Sequence, residues 1–393
     1  MSVPDRGLRT RAVHGGRDDL DDLGVHAPPI DLSTTYPIPD QERGGEALGD
    51  WADGAPGAAS PVYARLHNPT VARFEHALAC LEGTEHAVAF SSGMAALTAV
   101  LQAACTMAGK RHVVAVRPLY GGTDHLLATG LLGTETSYVR ADAVGDAVRA
   151  CTGLVVVETP ANPNLDLVDI AAVVRAAAGV PVLVDNTFAT PVLQNPAVHG
   201  ATYVLHSGTK YLGGHGDVLG GVVACDAEEA APLRRLRILT GAVLHPLGGY
   251  LLHRGLATLP VRIDAAQHTA TELAARLAAH SGVQRVRHPS LAECDPAGLV
   301  GTQLRGPGAM LAFCTIGDPH AVVGKLRLIT PAVSLGSVDT LIEHPAALTH
   351  RLMQEADRRS CGVPVNLLRL SVGLEDVEDL WEDLDHTLRA CAR

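Results

Sequence analysis

Lysine is scarce in this chain. Only Lys110, Lys210 and Lys325 occur, in a sequence whose other basic side chains are mostly arginines. Lys210 lies in "HSGTKYLGGHGD" (206–217), beside Ser207 and Thr209 and just before a run of glycines. A guanidinium stays protonated and cannot become a nucleophilic amine, whereas a lysine can. Lys110 and Lys325 have basic neighbours, "GKRH" and "GKLR", and read as surface charges. Lys210 reads as an amine kept for Schiff-base chemistry. The plain alternative is a solvated loop lysine.

Other reactive or binding groups follow apolar runs. Asp185 ends "VPVLVDN" and is followed by Asn186 and Thr187. It reads either as a turn residue or as a buried carboxylate facing a cation such as a protonated pyridine nitrogen. "SSGMAAL" sets Ser91, Ser92, Gly93 and Met94 at a helix start, which suits a phosphate or a simple N-cap. Glu158 and Asn162 follow "LVVV". Tyr120, in "YGGT", and Tyr63 belong to a sparse aromatic set, 3% of residues. Each suits stacking on a planar ring or packing on a neighbour. Arg369 lies in "LLRLSVG", where alternation favours a solvent-facing arginine over a clamp on a substrate carboxylate. There is no HExxH and no phosphate-loop lysine motif.

These groups need a common rim. "HAVAF", "RHVVAVRP", "LVVVETP", "VPVLVDN" and "ATYVLHS" read as short strands buried on both faces. "MAALTAVLQAA" and "DIAAVVRAAA" read as helices between them. The pattern is a doubly wound, mostly parallel α/β sheet, whose ligands bind beyond the carboxyl ends of the strands. From about residue 256 the texture changes to the amphipathic "ATELAARLAAHSG", the strands "GAMLAFCTI" and "LLRLSVG", and a final helix "EDVEDLWEDLDHTLRAC". This predicts a smaller α/β C-terminal domain. The stretch Asp40–Pro61, rich in Gly, Ala, Pro and acids, reads as a long loop on an N-terminal arm. The expected organisation is an arm over 1–62, a large domain over 63–255 and a C-terminal domain over 256–393.

With 393 residues the chain exceeds one ordinary core. A formal charge of -11 with no basic cluster argues against nucleic-acid or anionic-membrane partners. The eight cysteines show no paired spacing and suit a reducing compartment. With no apolar leader and no spanning run, a cytoplasmic location is expected.

Taken together, the segments resemble the transsulfuration family of pyridoxal-phosphate (PLP) enzymes. The matching pieces run in order from "YARLHNPT" (63–70) through "SSGMAAL", "YGGT", "ETPANPNLDLVDI", "VDNTFATP", "HSGTKYLGGHGD" and "TGAVLHP" to "SLGSVDTLIEHPAALTH" and "LLRLSVGLED". The resemblance implies the fold type I architecture of the aspartate aminotransferases, with a seven-stranded-type sheet. It implies that Lys210 holds PLP and moves protons, that Asp185 pairs with the ring nitrogen, and that Tyr120 stacks on the ring. Gly93, Met94, Ser207 and Thr209 would bind the phosphate, and Asn162 would lie near the phenolic oxygen, with Thr187 also at the cofactor. Arg369 would hold the substrate carboxylate, helped by the backbone at Ser334. Tyr63 and Arg65 would reach a neighbouring subunit's phosphate, implying shared sites in a homotetramer built from dimers. No metal is expected.

The implied activity is α,γ-elimination from a sulfur amino acid (methionine, cystathionine or homocysteine), giving 2-oxobutanoate, ammonia and a thiol. The alternatives are γ-replacement and a non-catalytic homologue. "TGAVLHP" resembles methionine γ-lyases. Two positions depart from them: Gly122 stands where they typically carry cysteine, and Arg237-Ile238 where they carry Lys-Asp.

Overall fold

The computed structural model describes residues 6–55, 61–351 and 353–391. Two sheets organise the chain. The larger contains β1 (His86–Phe90), β2 (His112–Val116), β3 (Glu135–Val139), β4 (Thr152–Glu158), β5 (Val182–Asp185), β6 (Tyr203–Ser207) and β7 (Gly221–Cys225). Its order is β1-β7-β6-β5-β4-β2-β3. All pairs are parallel except those of β7, which runs antiparallel to both β1 and β6. The expected doubly wound, mostly parallel sheet is therefore present. β2, β4 and β7 are buried at every residue, as continuous apolar runs in a covered sheet must be. β3 and β7 are not among the strands that the sequence pattern predicts. β3, "ETSYV", is a polar edge strand, and β7 emerges from the glycine run after Lys210.

The second sheet contains β8 (Val283–Arg287), β9 (Met310–Thr315), β10 (Thr330–Pro331), β11 (Leu341–Glu343) and β12 (Leu367–Ser371), in the order β10-β11-β12-β9-β8. One helix of 33 residues, Pro246–Ala278, carries the chain from one sheet towards the other. The texture change expected near residue 256 falls inside it, and "ATELAARLAAHSG" is its last part. Arg262 of this helix is buried and donates to the carbonyl oxygens of Tyr211, at 2.8 Å, and Gly255, at 2.7 Å. It thus ties the helix to the segment directly after Lys210.

Asp40–Pro61 differs from expectation. Residues 41–52 form a helix whose N-cap, Asp40, accepts from the backbone N–H groups of Glu42 and Arg43, both at 3.1 Å. Gly44, Gly45 and Gly49 hide it from a propensity reading. Tertiary packing supports it: Ala47 and Trp51 are buried with Val62, Leu66 and Ile238, and the Trp51 ring stacks on His67 at 4.1 Å. Residues 56–60 of this stretch lie outside the described residues. Among the described residues no helix is long and apolar enough to cross a membrane.

Gly221 shows why glycine follows the lysine segment. It pairs with Phe90 on one side and Ser207 on the other. A Cβ there would lie 2.1 Å from Ser92 O and 2.5 Å from Gly93 N. Its absence lets the helix Gly93–Leu101 start directly over the sheet. Gly221→Ala is expected to lower the unfolding free energy by about 1–3 kcal/mol in urea titrations. An unchanged midpoint would mean that the helix start can move aside freely.

Candidate active site

The carboxyl ends of β1, β4, β5 and β6, with the start of the helix Gly121–Thr129, open onto one cavity of about 470 Å³. Ser92, Gly93 and Met94 line it after β1. Tyr120 lines it at the head of that helix, Glu158 and Asn162 after β4, Asp185 and Thr187 after β5, and Ser207, Thr209 and Lys210 after β6. The second sheet closes the far side with Ser334 and Arg369. Ser92 caps the helix Gly93–Leu101, its hydroxyl accepting from Ala95 N at 3.1 Å. Backbone N–H groups at such a start favour an anion.

Lys210 Nζ donates to Ser334 Oγ at 2.5 Å. Burial, reinforced by the Arg369 charge and opposed by Glu343, lowers the amine to about 8. Ser334 has φ +88°, a left-handed conformation costly for a residue with a side chain. That conformation holds the hydroxyl on Lys210 while the Ser334 carbonyl accepts from Arg369 Nη2 at 2.9 Å.

Arg369 is buried, 2% exposed, so the solvent-facing expectation from alternation fails. β12 is an inner strand of its sheet, and the face that would meet water on an open sheet meets the cavity instead. Directly across the ladder stands Glu343, also buried, whose Oε1 lies 3.0 Å from Arg369 Nη1. The same nitrogen donates to Asn162 Oδ1 at 2.7 Å. Arg369 Nε and Glu343 Oε2 are buried with no hydrogen-bond partner among the described residues. A buried guanidinium lining this cavity suits a carboxylate ligand.

Asp185 Oδ1 accepts from Thr187 N at 3.0 Å and Thr187 Oγ1 at 2.5 Å. Burial raises its pKa, with Thr187 and the nearby His206 opposing the rise. Glu158, directly opposite Asp185 in the β4–β5 register, is pushed well above the usual range, by burial first and by Asp185 second. Tyr120 is 41% exposed, and its phenol is raised by partial burial and then by Glu343. The phenol therefore keeps its proton at neutral pH.

Eleven of the residues singled out from the sequence share this cavity: Lys210, Asp185, Tyr120, Gly93, Met94, Ser207, Thr209, Thr187, Asn162, Arg369 and Ser334. Tyr63 and Arg65 do not line it. Tyr63 is 43% exposed, and Arg65 Nη1 donates to Ile238 O at 2.9 Å. Sequence reasoning missed Glu343 and left Glu158 without a role. It also passed over Phe188, whose ring lies 5.9 Å from the Arg369 guanidinium carbon, and Leu348 and Thr349 of the cavity wall. The signal for Glu343 is the acidic residue of "EHP" inside "SLGSVDTLIEHPAALTH". Among the described residues no cluster could hold a metal ion.

The model for Cys/Met metabolism PLP-dependent enzymes matches residues 9–389. The chain belongs to this family. It is 61% identical over 384 residues to an L-methionine gamma-lyase of Streptomyces avermitilis, covering 98% of this chain and 89% of that one. It is 56% identical to an L-methionine gamma-lyase of Brevibacterium sandarakinum, covering 97% of each. A crystal structure of cystathionine gamma-lyase from Lactobacillus plantarum, complexed with L-serine, superposes with TM-score 0.90 at 31% identity. It covers 98% of this chain and 99% of that one. Pyridoxal 5'-phosphate is the family's cofactor and the cofactor of this chain. The cavity fits it: Lys210 supplies a deprotonatable amine, Asp185 a carboxylate that burial leaves in need of a cation, and the helix start at Gly93 an anion site.

Gly122 and Ile238 sit in defined surroundings. A Cβ on Gly122 would lie 2.6 Å from Tyr120 Cε1 and 3.3 Å from Met94 Sδ, so the tyrosine ring fills the volume that a cysteine would need. Ile238 is buried with Trp51 and Ala47, surroundings that would disfavour a charged carboxylate.

The lowered Lys210 gives a pH prediction. Its ammonium form loses a proton near pH 8, so capture of PLP by the apoprotein should accelerate as pH rises through about 8. Stopped-flow absorbance of the bound cofactor's visible band measures this. A midpoint near the ordinary lysine value would contradict the electrostatic account.

Proposed function

We propose that the chain is a PLP-dependent carbon–sulfur γ-lyase acting on L-methionine, which it converts with water to 2-oxobutanoate, ammonia and methanethiol. The observation that carries this is the combination of a cavity lined by Lys210, Asp185, Tyr120 and Arg369 with 55–61% identity to relatives named L-methionine gamma-lyase over nearly the whole chain. The bound cofactor supplies an electron sink for the carbanions formed at Cα and Cβ. Arg369 holds the substrate α-carboxylate, with Asn162 and the Ser334 carbonyl fixing its guanidinium. Lys210 removes the Cα proton, a task suited to an amine lowered towards neutral pH. Tyr120, holding its proton, delivers it to the departing thiolate. Asp185, set by Thr187, pairs with the ring nitrogen. Gly93, Met94, Ser207 and Thr209 receive the phosphate.

Residues 1–62 serve as an arm against a neighbouring subunit, ahead of a cofactor-binding domain to residue 255 and a C-terminal domain from 256. Tyr63 and Arg65, exposed or turned aside within one chain, complete the phosphate site of a second copy in a homotetramer. The enzyme works in the cytoplasm.

Release of 2-oxobutanoate from L-methionine by cofactor-loaded protein, with no added nucleophile, is the expected result. Release from L-cystathionine alone would move the substrate. Product formed only when an activated homoserine and a thiol are supplied would replace elimination by γ-replacement. For the shared site, Lys210→Ala and Arg65→Ala proteins, each inactive alone, should recover activity when their subunits are mixed. Hybrids that stay inactive would argue against a site built from two chains.

A further inference from the structure

Glu158 is buried on the cavity wall, and its two oxygens point to different loops. Oε2 accepts from the backbone N–H of Tyr120 at 2.6 Å. Oε1 accepts from the backbone N–H of Asn162 at 2.9 Å. Asn162 in turn receives Arg369 on its side chain. One carboxylate therefore joins the loop of the stacking tyrosine to the loop that steadies the carboxylate-binding arginine. An amide could not do the same, because one of its two ends is a donor and would oppose a backbone N–H.

The placement has an electrostatic cost. Glu158 lies beside Asp185 across the ladder, and two adjacent buried carboxylates disfavour each other's ionisation. A second acid placed there solely to fill space would be poorly tolerated, whereas an acceptor for two backbone donors, one buried and one part-buried, answers a hydrogen-bonding need.

We propose that Glu158 is a positioning residue of the cofactor site, holding Tyr120 and Asn162 in one rigid frame through their backbone amides. The proposal rests on the reading of the cavity as a PLP site. It concerns how that site is kept in register, and Glu158 itself exchanges no proton with substrate.

The test compares wild-type protein with Glu158→Gln, each as apoprotein and as PLP-loaded enzyme. The glutamine variant should unfold cooperatively and still gain the cofactor's visible band. Its dissociation constant for PLP should rise about tenfold or more, and its kcat with L-methionine should fall by a similar factor. The circular dichroism induced in the cofactor band, which reports ring orientation, should weaken. A folded glutamine variant with wild-type PLP affinity, induced dichroism and kcat overturns the proposal while leaving the cofactor reading intact. A wild-type protein that gains no visible band with PLP overturns both. A second measurement avoids substitution altogether. Amide hydrogen exchange of Tyr120 and Asn162 in the wild-type enzyme should be strongly protected, and exchange as fast as in an open loop would overturn the proposal even if the variant failed to fold.

Discussion

A lysine works as a nucleophile and base near neutral pH only where its ammonium form is disfavoured, and the rest of this site depends on that condition at Lys210. Burial supplies most of the effect, and the guanidinium of Arg369 adds to it. Both require a cavity closed on two sides. The large sheet brings Lys210 to the end of β6, and the small sheet brings Arg369 and Ser334 over it. Neither sheet alone would exclude enough water to shift the amine.

Closing a cavity around several charges demands that they be balanced. Glu343 faces Arg369 across one ladder step, and Glu158 faces Asp185 across another. The first is an opposite-charge pair whose members retain unused hydrogen-bonding atoms. Such a pair contributes little net stability, because desolvation offsets attraction. Its value lies in presenting a fixed cation to the cavity. The second is a like-charge pair, tolerable because backbone donors and Thr187 approach it and because a cationic ligand is expected between the walls.

Close approach of backbones is the other requirement. Gly221 lets the first helix start against β7, and Gly121 lets Thr349 O come to where a Cβ would stand at 2.0 Å. The Thr349 contact joins the wall carried by the second sheet to the tyrosine loop. Arg262 then anchors the segment after Lys210 to the long helix. The lysine is therefore held by the anchored segment after it and by Ser334 at its tip.

The sequence by itself determined the parallel strands, the polar groups at their carboxyl ends and which lysine is the candidate amine. Buried parallel strands are continuous apolar runs, and a lysine set between hydroxyls and glycines in an arginine-rich chain has a chemical reason to be there. Tertiary structure alone decided the fate of Arg369, because alternation along β12 cannot tell a face in water from a face on a cavity. It also decided the pairing of Arg369 with Glu343, which are 26 residues apart in sequence and become neighbours only by strand register. The helix at 41–52 belongs with these. Its glycines argue against it locally, and the burial of Trp51 against Ile238 stabilises it. Local sequence specifies what each residue can do chemically. Which residues share a dry space is a property of the packed chain, since burial and register are set by contacts that no short segment contains.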